Sequence, residues 1–470
     1  MRTAALATLL LLPFAAQAAK PNVLFIFADD HSYDAVHALG GAEVRTPNLD
    51  RLIAGGTAFT HAYNMGSWSG AVCVASRTML VTGRTVWRAN QVYGKKTEAE
   101  RAAGRLWPQM MSKAGYATSM TGKWHITAAA EKCFDVAKNV RAGMPKDTKS
   151  AYGRPVSPDH DEWSPYDTAL GGYWQGGKHW SEVVGDDAIG FLDAAKGSDR
   201  PFFAYVAFNA PHDPRQSPKE YVDLYPRDKL AVPASFQPEY PNAKAIGAGK
   251  GLRDEDLAPF PRTELSVRTH RQEYFAIITH MDAQIGRILD ALERNGQAGN
   301  TWVIFTADHG LAIGRHGLMG KQNMHEHSLR VPFVVRGPGV AAGARIDTPI
   351  YLQDAMATAL EVAGAERQPQ VEFRSVLPLL KGDFSGRRDA IYGGYLELQR
   401  AVIQDGWKLI AYPKAGVFRL YHVAEDPEEL KDLAADPALR ERRAALFSRL
   451  TALQKELEDR LDLSAMKSLL

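Results

Sequence analysis

Three stretches of the chain are apolar almost throughout: residues 23–27, 202–208 and 302–306. Runs this short and this apolar are what strands buried on both faces require. Weaker strand patterns occupy 116–121 and 331–335. Between them the period lengthens. Tyr274, Ile277, Ile278, Met281, Ile285, Ile288, Leu289 and Leu292 recur at helical spacing, and the helix they predict stops at Gly296. Shorter helices are predicted at 48–54, entered through Thr46 and Pro47, and at 107–114 and 181–195. Strands alternating with helices predict an α/β fold, a large mixed and mostly parallel sheet sandwiched by helices.

The pattern changes near residues 365–370. Beyond it, short strands at 391–398, 400–404, 408–412 and 418–421 are separated by turns at Asp405-Gly406 and Pro413. An amphipathic, charge-laced helix over 437–460 closes the chain. The expectation is a catalytic α/β domain over 19–368 and a C-terminal α+β subdomain over 369–470, a small antiparallel sheet with one helix. Residues 127–177 read as largely irregular, and 213–260 as a proline-rich excursion. There is no internal repeat and no low-complexity tract.

Four strands run into polar residues with chemistry to offer: Ala28-Asp29-Asp30-His31, Gly122-Lys123-Trp124-His125, Asn209-Ala210-Pro211-His212 and Ala307-Asp308-His309-Gly310. Ligands of open α/β sheets bind outside the carboxyl ends of the strands. Asp29, Asp30, Lys123, His125, His212, Asp308 and His309 are therefore expected along one rim. Carboxylates gathered there repel one another unless a cation lies between them, which points to a divalent metal. An aspartate after a strand can also cap the next helix, the plainer alternative. Between two of these strands lies Ala71-Val72-Cys73-Val74-Ala75-Ser76-Arg77. Residues four apart on a helix share a face, so Cys73 and Arg77 define a site for an anion near a helix N-terminus.

Composition narrows the picture. The 470 residues carry a formal charge of +2 and are 45% hydrophobic, which excludes a disordered chain and offers no basic stripe for nucleic acid. Met1-Arg2, the apolar residues 4–16 and Ala16-Gln17-Ala18 read as a signal peptide over 1–18, placing the mature protein in the periplasm or outside the cell. No run is long enough for a membrane span. The two cysteines of an exported chain raise the alternative of a Cys73–Cys133 disulfide. The residues around Cys73 favour chemistry instead, leaving Cys133 a buried or free thiol.

The run Cys73-x-Ala75-Ser76-Arg77-x4-Thr82-Gly83 resembles the motif of the formylglycine-dependent sulfatases of the alkaline-phosphatase-like superfamily, with Ala75 where proline is usual. The resemblance implies that a formylglycine-generating enzyme converts Cys73 to an aldehyde whose hydrate is the nucleophile. It implies that Asp29, Asp30, Asp308 and His309 bind Ca2+ together with residue 73. His309 stands where many members carry asparagine, which keeps Mn2+ or Mg2+ in reserve. Gly122-Lys123-Trp124-His125, Pro211-His212-x-Pro214 and Lys321 ahead of Glu326-x-Ser328-Leu329-Arg330-Val331-Pro332 resemble further family motifs. Lys123, Lys321 and Arg77 would then face the sulfate oxygens, with His212 as acid and His125 as base. His31, His37, His61, His270 and His422 are expected to be structural.

The substrate is expected to be a sulfated carbohydrate. Residues 160–180 concentrate His160, Trp163, Tyr166, Tyr173, Trp174 and His179, aromatic faces with polar edges that suit sugar rings. His160 and His179 are the substrate-contact candidates there, against the alternative of ordinary loop packing. Two other functions stay open: a metal-dependent phosphoesterase or phosphonate hydrolase of the same superfamily, and a glycan-binding relative whose Cys73 is never converted.

Overall fold

The computed structural model describes residues 20–470, so the signal peptide expected over 1–18 lies outside the described residues. Its centre is the strand Asn22–Ala28, whose residues Val23 to Ala28 are completely buried. Parallel strands flank it, Thr301–Ala307 on one side and Phe202–Ala207 on the other. Ala117–Lys123 and then Val136–Arg141 continue the parallel run to one edge. Towards the other edge lie Phe333–Arg336 and Thr57–Phe59, each antiparallel to its inner neighbour, and Ala344–Ile346. The sheet is mixed and mostly parallel, with helices on its faces.

Register decides where the chemistry emerges. Ala28 pairs with Ala307, Phe27 with Ala207 and Gly122 with Ala207. The polar residues that follow these strands therefore leave the sheet at one level. Below them Phe25, Phe27, Trp107, Phe203 and Tyr205 pack ring against ring, with centroids 4.9–6.5 Å apart. Gly122 sits at φ +89°, and a Cβ there would lie 1.8 Å from the Ala207 carbonyl oxygen. Only glycine lets the chain bend at that height.

The strand expected over 116–121 runs Ala117–Lys123, so Lys123 is its last residue rather than part of the loop beyond it. The long helix spans Glu264–Arg294 and starts ten residues ahead of the apolar series, at a Thr263–Ser266 capping box. From it Asp282 reaches the N-terminus of Pro47–Ala54, accepting from the Leu49 amide at 2.7 Å and the Asn48 amide at 3.0 Å. Val136–Arg141 is a strand inside the stretch expected to be irregular; its half-exposed, polar sequence carries no hydrophobic alternation.

The C-terminal sheet contains Ile391–Tyr395, Gln399–Gln404, Trp407–Tyr412 and Val417–Tyr421, all antiparallel. A fifth strand, Gly66–Ser67, joins it from the N-terminal part of the chain, parallel to Ile391–Tyr395. The closing helix is Arg440–Glu456, shorter than expected because Pro437–Leu439 forms a 3-10 turn. Among the described residues no helix is long and apolar enough to cross a membrane.

Candidate active site

The helix Val72–Thr82 is buried along its whole length. Gly83, at φ +73°, ends it by donating to the Met79 carbonyl at 2.9 Å. Cys73 is its second residue, so the thiol points out of the helix N-terminus towards the strand ends. Its Sγ lies 3.3 Å from His309 Nε2, 3.6 Å from Lys321 Nζ and 3.9 Å from Asp30 Oδ1. Asp29, Asp30, Cys73 and His309 each offer a donor atom within 4.8 Å of the others. The four come from three separated segments, brought together by the sheet register.

Each donor is held from behind. The His309 ring donates through Nδ1 to the Gly310 carbonyl at 2.9 Å, which turns Nε2 inward to 3.1 Å from Asp30 Oδ1. Asp30 sits at φ +64° and His125 at φ +55°. Left-handed backbone at non-glycine residues costs about 1–3 kcal/mol and persists where the surroundings enforce it. Asp308 accepts from the Asp30 amide at 3.1 Å, and its own carbonyl accepts from Ser76 Oγ at 2.8 Å and from Asn64.

Arg77 shares a helix face with Cys73 as its spacing requires, but its guanidinium is turned onto the carboxylates. Nε lies 3.2 Å from Asp308 Oδ2, Nη2 lies 3.5 Å from Asp29 Oδ1, and Nη1 donates to the Lys123 carbonyl at 2.9 Å. Lys123 Nζ pairs with Asp29, and Lys321 Nζ reaches both Asp30 oxygens at 2.8 and 3.0 Å. Both lysines are buried.

This crowding distorts protonation. Burial, then Asp308 and Cys73, push the Asp29 carboxyl up to about 7. Burial opposes ionisation of Cys73, but Lys123, Lys321 and His309 outweigh it and hold the thiol well below its usual value. Burial likewise opposes protonation of His309, yet Asp308, Asp30 and Cys73 raise it to about 10. His212 is raised too, since Asp30 and Asp213 outweigh its burial and Lys321.

Burial holds the His125 imidazole below its usual value, with Cys73 acting against it, and Gly143 packs so close to its ring that a Cβ there would lie 2.6 Å away. His212 donates through Nδ1 to the Asp213 carbonyl at 2.6 Å, leaving Nε2 4.0 Å from Asp30 Oδ2. All the strand-end residues expected on the rim are therefore gathered at one place.

The two histidines of the aromatic segment are not. His160 is on the surface, its side chain 75% exposed and 4.0 Å from Glu162. His179 is buried with both nitrogens spent: Nδ1 accepts from the Ser181 amide at 3.1 Å and Nε2 donates to the Gln216 carbonyl at 2.8 Å. It caps the helix Trp180–Ala194 and has no atom left for a substrate. Tyr173, stacked on His179, is the member that reaches the rim, donating towards the Asn209 and His212 carbonyls at 2.7 and 2.8 Å. Cys73 and Cys133 are both free and buried, so the disulfide alternative fails.

Sequence reasoning missed an outer layer. Arg253 pairs with Asp213 and Asp254, Asp254 lies 3.6 Å from Lys321 Nζ, and Gln322 bridges Asp254 at 2.7 Å to the Gly70 carbonyl at 3.0 Å. Arg253 and Asp254 lie in the proline-rich excursion, where no periodicity or motif singles them out.

A family model described as Sulfatase matches residues 21–365. The chain belongs to the sulfatase family. A second model, described as N-sulphoglucosamine sulphohydrolase, C-terminal, matches residues 314–456 of this sulfatase. It is 23% identical to the N-acetylglucosamine-6-O-sulfatase of Bacteroides thetaiotaomicron, across 94% of this chain and 87% of that one. Its fold matches a structure solved in complex with its substrate D-glucosamine-2-N,6-O-disulfate, at TM-score 0.71 and 22% identity, covering 94% and 99% of the two chains. The phosphonate monoester hydrolase of Agrobacterium radiobacter matches equally well, at TM-score 0.71 and 22% identity over 93% and 96%. The shared fold is that of the alkaline-phosphatase-like superfamily, and the family model makes this sulfatase a sulfuric ester hydrolase.

Proposed function

We propose that this sulfatase, once exported, hydrolyses a sulfate ester on a carbohydrate, using formylglycine at position 73 and one divalent cation, with Ca2+ the leading choice. The observation that carries the reading is the convergence of Asp29, Asp30 and His309 on Cys73, flanked by Lys123 and Lys321. The carbohydrate rests on the printed names of relatives, an N-acetylglucosamine-6-O-sulfatase and an ulvan-active sulfatase among them.

The residues fit a cation. Asp29 Oδ1 is buried and makes no hydrogen bond within the described residues. Two adjacent carboxylates, a third from Asp308 and an imidazole turned inward by its own backbone bond form an oxygen-rich donor set. Lysine ammonium groups lie on Asp29 and Asp30, and with those carboxylates neutralised by a divalent cation Lys123 and Lys321 would be available to sulfate. Asp29, Asp30, Asp308, His309 and residue 73 would hold it, and it would supply positive charge beside the attacking oxygen and the sulfate.

Within that frame the hydrated aldehyde at position 73 supplies the nucleophilic oxygen. Lys123 and Lys321 neutralise charge on the equatorial sulfate oxygens as the S–O ester bond lengthens. Arg77 lies against both the Asp29 and Asp308 carboxylates and offsets their mutual repulsion. His212, made more basic by Asp30 and Asp213 against its burial, delivers a proton to the departing alcohol oxygen. His125 takes the proton from the remaining hydroxyl at position 73, expelling sulfate and restoring the aldehyde.

The test is sulfate release from glucosamine 6-sulfate and a panel of sulfated oligosaccharides, set against hydrolysis of phosphate and phosphonate esters. Sulfate release is expected to dominate, to fall on dialysis against EDTA and to return with Ca2+. A preference for phosphonate esters would transfer the site to the hydrolase alternative.

A further inference from the structure

A second histidine cluster lies apart from the nucleophile, where the loop that carries Lys321 meets the C-terminal sheet. His316, His325 and His327 are all buried and offer ring nitrogens within 4.8 Å of one another. Two of them are anchored through Nδ1: that of His325 lies 2.8 Å from Glu429 Oε2, and that of His327 lies 2.9 Å from Ser328 Oγ. The Nε2 atoms of His316 and His327 are buried without a hydrogen-bond partner among the described residues. His325 Nε2 meets only the Tyr240 hydroxyl, at 3.3 Å.

Ordinary core packing does not explain this arrangement well. A buried imidazole normally has both nitrogens satisfied, as His179 does. An Nδ1 tied to a carboxylate or carbonyl with Nε2 left inward is instead how metal-bound histidines are oriented. Three nitrogen donors and no carboxylate in the ligand set select a transition cation of the zinc class over calcium. A cavity of about 240 Å3, lined by Arg315, Glu326, His327, Glu428 and Glu429 among others, adjoins the cluster and gives a cation its path and a fourth ligand its space. His316 and His325 lie face to face, centroids 4.2 Å apart and planes 15° apart, so binding requires that this stack open.

We propose that His316, His325 and His327 form a second metal site, separate from the nucleophile's, that takes Zn2+ or a similar transition cation. Such an ion staples the 316–327 segment to Glu429 of the C-terminal part through His325. Lys408 already crosses the same seam, 2.7 Å from Glu326 and 2.9 Å from Glu429.

The experiment uses the full mature chain, stripped with chelator, dialysed and titrated with Zn2+ against a chromophoric chelator, with Co2+ absorption as a second signal. The wild-type protein is expected to take one tight Zn2+ equivalent and to show a Co2+ spectrum of nitrogen ligation. His327→Gln is expected to lose that equivalent while still releasing sulfate in Ca2+. Asp30→Asn, damaged at the nucleophile, is expected to keep it, so this site and the catalytic reading fail separately. Equal Zn2+ binding by wild type and His327→Gln, or a Co2+ spectrum lost only in Asp30→Asn, would overturn the assignment.

Discussion

At the scale of single residues, the site works by opposing charges that no member could sustain alone. Cys73 faces two lysines and an imidazole, Asp29 faces two other acids, and Arg77 clamps the acids rather than open space. Cys73→Ala should keep the fold and reduce sulfate release to background, checked by circular dichroism beside the turnover assay. His212→Asn should lower kcat by roughly 10²–10⁴-fold on alkyl sulfates, the usual worth of a general acid. The loss should shrink on aryl sulfates whose phenols leave without a proton, and an equal loss on both classes would remove His212 from that role. Most of these residues were legible because a motif or a strand end marked them. Arg253 and Asp254 were not, since each acts by touching a neighbour from a loop whose path the sequence does not encode locally.

At the scale of elements, the parallel strands set the height of the site and glycine permits its shape. Gly122→Ala would drive a Cβ into the Ala207 carbonyl at a left-handed residue, so a cost of about 3 kcal/mol and loss of activity are expected from urea denaturation. The long helix Glu264–Arg294 carries a pH dependence through His270, which lies 3.0 Å from the Arg154 carbonyl and 3.2 Å from the Leu257 carbonyl. Burial, then Arg154 and Arg215, hold its imidazole well below the usual value. The unfolded chain takes up that proton near about pH 6.5 while the fold does not. The stability it supplies is therefore full above about pH 6.5 and drains away as pH falls below it. The urea midpoint of the wild type should drop more steeply between about pH 7.5 and about pH 5 than that of His270→Gln. Parallel slopes would contradict this. The strands at 22–28, 202–207 and 301–307 were readable because burial on both faces leaves unbroken apolar runs. Val136–Arg141 was not, because an edge strand with half its surface in water needs no such pattern.

At the scale of the whole molecule, the two parts expected from composition are interlocked. Gly66–Ser67 completes the C-terminal sheet six residues before Cys73, and Arg388 pairs with Asp354 at 2.5 and 2.7 Å. Residues 20–368 expressed alone should therefore fail to fold, while the full chain melts in a single cooperative transition; a stable, active 20–368 fragment would contradict that. The shift near 365–370 marks a change of architecture in the sequence, but pairing between distant strands is invisible to a local pattern. The atom that attacks sulfur is read from the mass of the tryptic peptide 52–77 of natively produced protein. An aldehyde, or its hydrate, is expected in place of the thiol at position 73, in proportion to sulfate-releasing activity. Fully active protein in which that peptide carries an unmodified cysteine would rule out the formylglycine nucleophile.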